Sequence, residues 1–262
     1  MSFTGTSPKN TRKDITYVDN NNSGVTTSVK RIKTGSGSDT STLISDRHLK
    51  VLPSTDSTET FEVNNASNTN KFRIDTTNNS VKALSHQVNT QYANFGISSG
   101  LTASYLVNTH YPIGFAGNNQ SAVLQDNMTL GTGTDPATTF TTADGSTTDA
   151  SLVVPVLWFV PDNITIDLVN SFEGCDNATG ATTRMHLMSY DFNSGSTSCL
   201  TNGALIAHNS DVTNAGSEQA YRSTWTVDSA DVSGDKVLIA TFLTTDVTGD
   251  YSASINVKYH LR

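Results

Sequence analysis

The sequence predicts an all-β protein, and three observations carry that prediction. Only 15% of its 262 residues are charged, against about 25% in ordinary soluble domains. Ser, Thr and Asn take the vacated places, and all three bond to nearby backbone and favour turns over helix interiors. Apolar residues also recur at every second position in many short runs, the spacing of a half-buried strand. Turn-forming segments such as residues 20–24, 34–38 and 64–70 separate those runs. The expected architecture is an N-terminal extended arm, a short trimeric β-meander stalk and a C-terminal β-sandwich of jelly-roll type.

Residues 1–45 are polar and rich in turn formers. Ile15, Tyr17, Val25, Val29 and Ile32 are scattered apolar anchors, too few to bury a core alone. The segment therefore reads as an arm that leans on a partner. Its basic cluster, Lys30, Arg31 and Lys33, reads as a solvated strand edge.

Residues 46–88 change to four alternating strands, at 48–52, 60–63, 71–74 and 80–84. A lone meander with one apolar face is marginal in water. Three copies wrapped around an axis would cover that face and hide the strand edges. Leu49, Val51, Phe61, Val63, Phe72 and Ile74 are the expected trimer contacts there, joined by Val156 and Trp158 from the last region.

Residues 89–262 continue the pattern at larger scale. Strands are expected at 92–97, 104–108, 152–160, 164–172, 184–190, 221–227, 237–243 and 252–261, enough for a two-sheet sandwich. The run at 152–160 is apolar throughout, which implies cover on both faces. Its outer side is either a subunit interface or a strand overlaid by a loop. The Gly-, Thr-, Ser- and Asp-rich stretch 117–151 reads as long loops, either host-contacting or plain decoration.

Composition excludes several functions. A net charge of −8 and a pI near 5.1 oppose binding to nucleic acid, which needs clustered Lys and Arg. The N-terminus has no apolar stretch of the secretory kind. The longest apolar run is about half the ~18 residues a membrane helix needs and carries Pro155. A soluble chain without membrane insertion is expected. Cys175 and Cys199 lack zinc-site spacing and read as two buried free thiols; the alternative is one bridge in an oxidising medium.

Reactive constellations are sparse. Gly96, Ser98 and Gly100 match the GxSxG pattern, which works only on a sharp strand-to-helix turn, and no helix is expected after it. His48, His86, His110, His186, His208 and His260 are scattered and lack metal-site spacing. Asp75 with Asn78, and Asp144 with Asp149, lack the ligand ladder of a calcium loop and read as structural turns. No phosphate loop or dinucleotide fingerprint occurs. Trp158 and Trp225 read as core residues. Convergent carboxylates of a glycan-cleaving enzyme would come from distant strands, and nothing marks them. No catalysis, cofactor or metal is expected.

Three blocks carry a resemblance. Residues 14–25 with 32–37 and 42–45 resemble the N-terminal attachment region of fibre-like proteins of tailed bacteriophages. Residues 49–51 through 72–78 and Val81 look like the short β repeats of their trimeric stalks. Residues 158–162, 164–166 and 251–261 are similar to the jelly-roll tips of such fibres. The resemblance implies a homotrimeric structural protein of the virion surface, made in the host cytoplasm. Ile15, Tyr17, Val18, Asp19, Val25 and Ile32 would attach it to capsid or tail proteins. The brief stalk favours a head fibre or decoration protein; the alternative is a short tail fibre whose loop 131–149 touches a host glycan or protein.

Overall fold

The computed structural model describes residues 16–18, 24–100, 105–115, 128–142, 150–176, 179–216 and 218–262. The protein is all-β, and its contacts divide it into two units, Met1–Val88 and Asn89–Arg262.

The first unit holds two four-stranded antiparallel sheets. In one, β1 (Thr16–Val18), β2 (Lys30–Thr34), β3 (Asp39–Ile44) and β4 (Leu49–Val51) lie in sequence order. Residues 30–44 are thus a hairpin rather than an extended arm. The Gly- and Ser-rich segment closes it: Gly37 adopts φ +85° and its N–H donates to Thr34 O at 2.8 Å, a conformation glycine takes without a Cβ penalty. The expected boundary at 45 also falls inside this sheet, because Thr42 pairs with Val51 and Ile44 with Leu49. Ser45 makes the turn between them, its Oγ accepting from Arg47 N and His48 N at 3.2 and 3.0 Å. The strand expected at 48–52 therefore belongs with β3 and not with the three strands after it.

Those three form the second sheet with one addition: β5 (Phe61–Asn64), β6 (Asn70–Asp75), β7 (Ser80–Ala83) and β8 (His86–Gln87), again in sequence order. Asn65 Oδ1 shapes the first turn by accepting from Ser67 N and Thr69 N. Asp75 shapes the second, its two oxygens accepting from Asn78 N and Nδ2 at 2.9 and 2.8 Å.

The second unit is a jelly roll. Its eight long strands are β9 (Thr90–Gly100), β10 (Tyr111–Phe115), β12 (Ile164–Asp176), β13 (Thr182–Phe192), β14 (Leu200–His208), β16 (Glu218–Thr224), β19 (Lys236–Thr244) and β20 (Asp250–Leu261). One sheet runs β16-β12-β20-β9 and the other β10-β19-β13-β14. Counted one to eight along the chain, these orders are 6-3-8-1 and 2-7-4-5, the double Greek key of that fold. The sheets are joined at a corner by β10, which pairs with β19 through Tyr111–Ile113 and with β9 through Gly114 and Phe115. Short strands β11 (Trp158–Val160), β15 (Val212–Thr213), β17 (Thr226–Val227) and β18 (Asp231–Val232) extend the edges.

Alternation decides what each strand buries. Between the sheets lie Phe95, Ile113, Met185, Leu187, Ala240, Phe242, Ile255 and Val257. The outer face of the second sheet is buried as well. There Met188, Tyr190, Leu200, Val237 and Ile239 are covered by Met128, Leu130, Phe140, Val153 and Val156. Strand β19 is consequently buried at every position from Val237 to Thr244.

Several expected strands differ. Residues 152–160 are not one strand: two 3-10 turns, Ala150–Leu152 and Val154–Val156, precede β11. Pro155 has no N–H for a sheet ladder, and the run forms part of the cover rather than a covered strand. The described part of 104–108 is a turn with Asn108 at φ +53°. The expected 221–227 strand is broken at Trp225, whose backbone N–H donates to Val169 O at 2.9 Å.

Candidate assembly surface

The register of β5, β6 and β7 fixes what each face of their sheet carries. Phe61 lies opposite Ile74 and Val63 opposite Phe72. Phe72 in turn lies opposite Ala83, and Ile74 opposite Val81. These six residues share one face, and all are apolar. The other face aligns Glu62, Arg73, Lys82 and Gln87 across four strands. Alternation alone produces this division, because every second residue of each strand is apolar.

Among the described residues of the first unit, none buries this apolar face. Phe61 is 40% and Val63 48% exposed, while Phe72, Ile74 and Val81 are half-buried. The Phe61 and Phe72 rings meet edge to face at 6.2 Å, a favoured geometry. Among the described residues of the first unit, the buried side chains are Ser45, Asp75 and Ser80, and all three are polar. Fully burying one large apolar side chain is worth roughly 1.5–3 kcal/mol. Five partly exposed ones leave on the order of 5 kcal/mol per chain unrealised.

The β1–β4 sheet repeats the pattern less completely. Register and alternation put Val18, Ile32, Ile44, Leu49 and Val51 on one side, with Tyr17, Arg31 and Lys33 on the other. Leu49 is 73% exposed. Arg31 and Lys33 flank Asp39 at 3.6 and 3.7 Å, so the basic cluster is partly neutralised at home.

The expected contact residues fall into distinct places. Phe61, Val63, Phe72 and Ile74 come together on the one apolar face, and Leu49 and Val51 share a face of the other sheet. Val156 and Trp158 do not belong to any surface: both are buried inside the jelly roll, by the outer cover and the inter-sheet core respectively. The exposed neighbours are Val154, two residues before Val156, and Phe159, one residue after Trp158. Among the expected attachment residues, Val18 and Ile32 share a side, Tyr17 takes the other, and Val25 sits in the bend between β1 and β2. Ile15 and Asp19 lie outside the described residues. Val81 and Ala83 belong to the apolar face and were legible as the alternate positions of the 80–84 strand.

Other expected sites resolve as local structure. Gly96–Gly100 lies within strand β9, paired to β20, so the GxSxG match is not at a strand-to-helix turn. The Asp75 carboxylate is held below its ordinary value, chiefly by the Asn78 side-chain donor, and is taken up inside its own turn. Asp144 and Asp149 lie outside the described residues, as does 143–149 of the expected contact loop. The rest of that loop, 131–142, includes Phe140 locked against Leu200 in the outer core. The two cysteines lie apart, Cys175 beside the inter-sheet core and Cys199 in the outer one. Among the described residues no cluster of His, Cys, Asp or Glu is fit to hold a metal ion. No helix there is long and apolar enough to cross a membrane.

A two-sheet jelly roll joined to thin one-sided sheets is the class of architecture that the chain presents. No protein-family model matches the sequence, and no curated protein matches it.

Proposed function

We propose that the chain is a non-enzymatic structural subunit of a bacteriophage particle, a homotrimeric head fibre or decoration protein. Its first unit joins sister copies and the virion, and its jelly roll is displayed outward. The observation that carries this reading is the partly exposed apolar face of Phe61, Val63, Phe72, Ile74, Val81 and Ala83, in a unit whose described residues include no buried apolar side chain. Such a sheet is marginal alone and gains stability when copies close over it. The order of attachment region, meander and jelly roll, and the resemblance to phage fibres, supply the viral setting and the threefold count.

Light scattering of the intact chain tests the assembly. The expected mass is about three times the 27.9 kDa of one chain. A single-chain mass at micromolar concentration would refute the reading.

A further inference from the structure

Three imidazoles lie side by side on the outer face of the second sheet. His186 of β13 is opposite Thr241 of β19 on one side and His208 of β14 on the other. The His110 ring, just before β10, meets His186 edge-on with centroids 5.0 Å apart, and His186 stacks on His208 at 6.1 Å. Sequence reasoning treated these residues as scattered because they are distant in the chain; the sheet brings them together.

Residues 130–137 are held down over this row. Leu130 N donates to His110 O at 2.8 Å, and His110 N donates to Gly131 O at 2.9 Å. His110 Nε2 lies 3.1 Å from Gly133 O; a carbonyl only accepts, so that nitrogen carries the hydrogen. Asp135 Oδ1 lies 3.5 Å from His186 Nε2. Tyr190 Oη donates to Ala137 O at 2.8 Å.

His186 is 2% exposed, and its Nδ1 has no hydrogen-bond partner among the described residues. The charged groups around it are mostly engaged elsewhere. Asp211 is held by both Nε and Nη2 of Arg184, and Asp228 lies 2.7 Å from His208 Nδ1. Asp135, on the covering turn, is the carboxylate facing His186, and its side chain is largely in solvent. A proton placed on His186 would therefore sit between His110, His208 and Arg184 with one weak counter-charge.

We propose that this row is a proton-operated latch: protonation of His186 releases the turn at 130–137 and bares the apolar patch of Met188, Tyr190, Leu200 and Ile239 beneath it. Burial, then the neighbouring His110, pushes the His186 pKa from 6.5 down to about 4. The closed form thus prefers the neutral ring, and a hydrated open form takes the proton more readily. Closure is fully favoured above about pH 6.5, weakens as pH falls, and levels off below about pH 4. At pH 5 the open fraction rises about thirty-fold over its neutral-pH value.

Amide hydrogen exchange on the intact chain at pH 7.5 and 5.0, corrected for intrinsic rates, reads this directly. The amides of His110, Leu130 and Ala137 lose about thirty-fold in protection at the lower pH, while those of Ile255 and Val257 in the other sheet keep theirs. His186→Phe preserves the ring and cannot take a proton, so its covering turn keeps equal protection at both values. Should that variant fail to fold, the ring resonances of His186 in the unaltered chain titrate near pH 4. Unchanged protection at 130–137, the same acid loosening in His186→Phe, or a His186 midpoint near 6.5 would each overturn the latch.

Discussion

The two units share one sequence grammar and reach opposite energetic outcomes. In both, apolar residues occupy every second position of a strand. In the jelly roll, the inward side chains of one sheet meet those of the other, and a second layer from 128–142 and 150–157 covers the outer face of the β10-β19-β13-β14 sheet. In the first unit each sheet has an apolar side, and none of the described residues of that unit forms a second layer to meet it. Period-two alternation specifies a face; only a facing layer converts it into a core. On the proposed reading, the first unit is accordingly the part whose folding depends on other copies.

Substitutions sharpen that contrast. The largest effect is expected from Phe72→Asp, which puts a charge at the centre of the β5–β7 apolar face. It should reduce the scattering mass from the assembled value to that of one chain while leaving the jelly-roll melting transition in place. Leu187→Ala, at a site with 0% exposure between the sheets, should do the reverse. It costs about 2–5 kcal/mol of jelly-roll stability by chemical denaturation, with the assembled mass retained under native conditions.

A smaller effect of opposite sign is expected at Glu173. Its carboxyl is buried between the sheets, Thr183 Oγ1 donates to Oε2 at 2.5 Å, and Oε1 has no partner among the described residues. Burial pushes its pKa up. A raised folded-state pKa means the group favours folding below the unfolded value, near 4.5, and opposes it as pH rises through the folded value. Glu173→Gln should therefore stabilise the jelly roll by about 1 kcal/mol at pH 7 and by less at pH 4.5, measured by urea unfolding at both values. The smallest effect belongs to the Arg184–Asp211 pair. It is bidentate but partly solvated, and Asp211→Asn should cost under about 1 kcal/mol.

The all-β class and the apolar face of the meander were legible because both follow from alternation within single strands, and the core reading of the two tryptophans followed from the size of their apolar rings. Trp225 is 4% exposed with its Nε1 donating to Ser171 Oγ, and Trp158 is 6% exposed. Strands β10 and β14 were absent from the expected strands, and Pro112 and the pair Asn202–Gly203 interrupt the alternation there. In the fold Pro112 pairs with Thr241 next to the sheet corner, and Gly203 lies where a Cβ would stand 2.7 Å from the Thr138 backbone. The run 152–160 misled in the other direction: continuous apolarity marks burial but not conformation, and Pro155 decides the latter. Val156 and Trp158 were assigned to a surface by that same misreading. The histidine row was illegible for a different reason. His110, His186 and His208 become neighbours only through the pairing of strands far apart in sequence.

The central claim is that the first unit borrows its core from other copies, and amide exchange across a dilution series tests it most directly. Backbone amides of Phe72 and Ile74 in β6 should be protected at high concentration and lose protection on dilution, while those of Ile255 and Leu187 stay protected throughout. Equal, concentration-independent protection of Phe72 and Ile74 in a chain of single-copy mass would contradict the account.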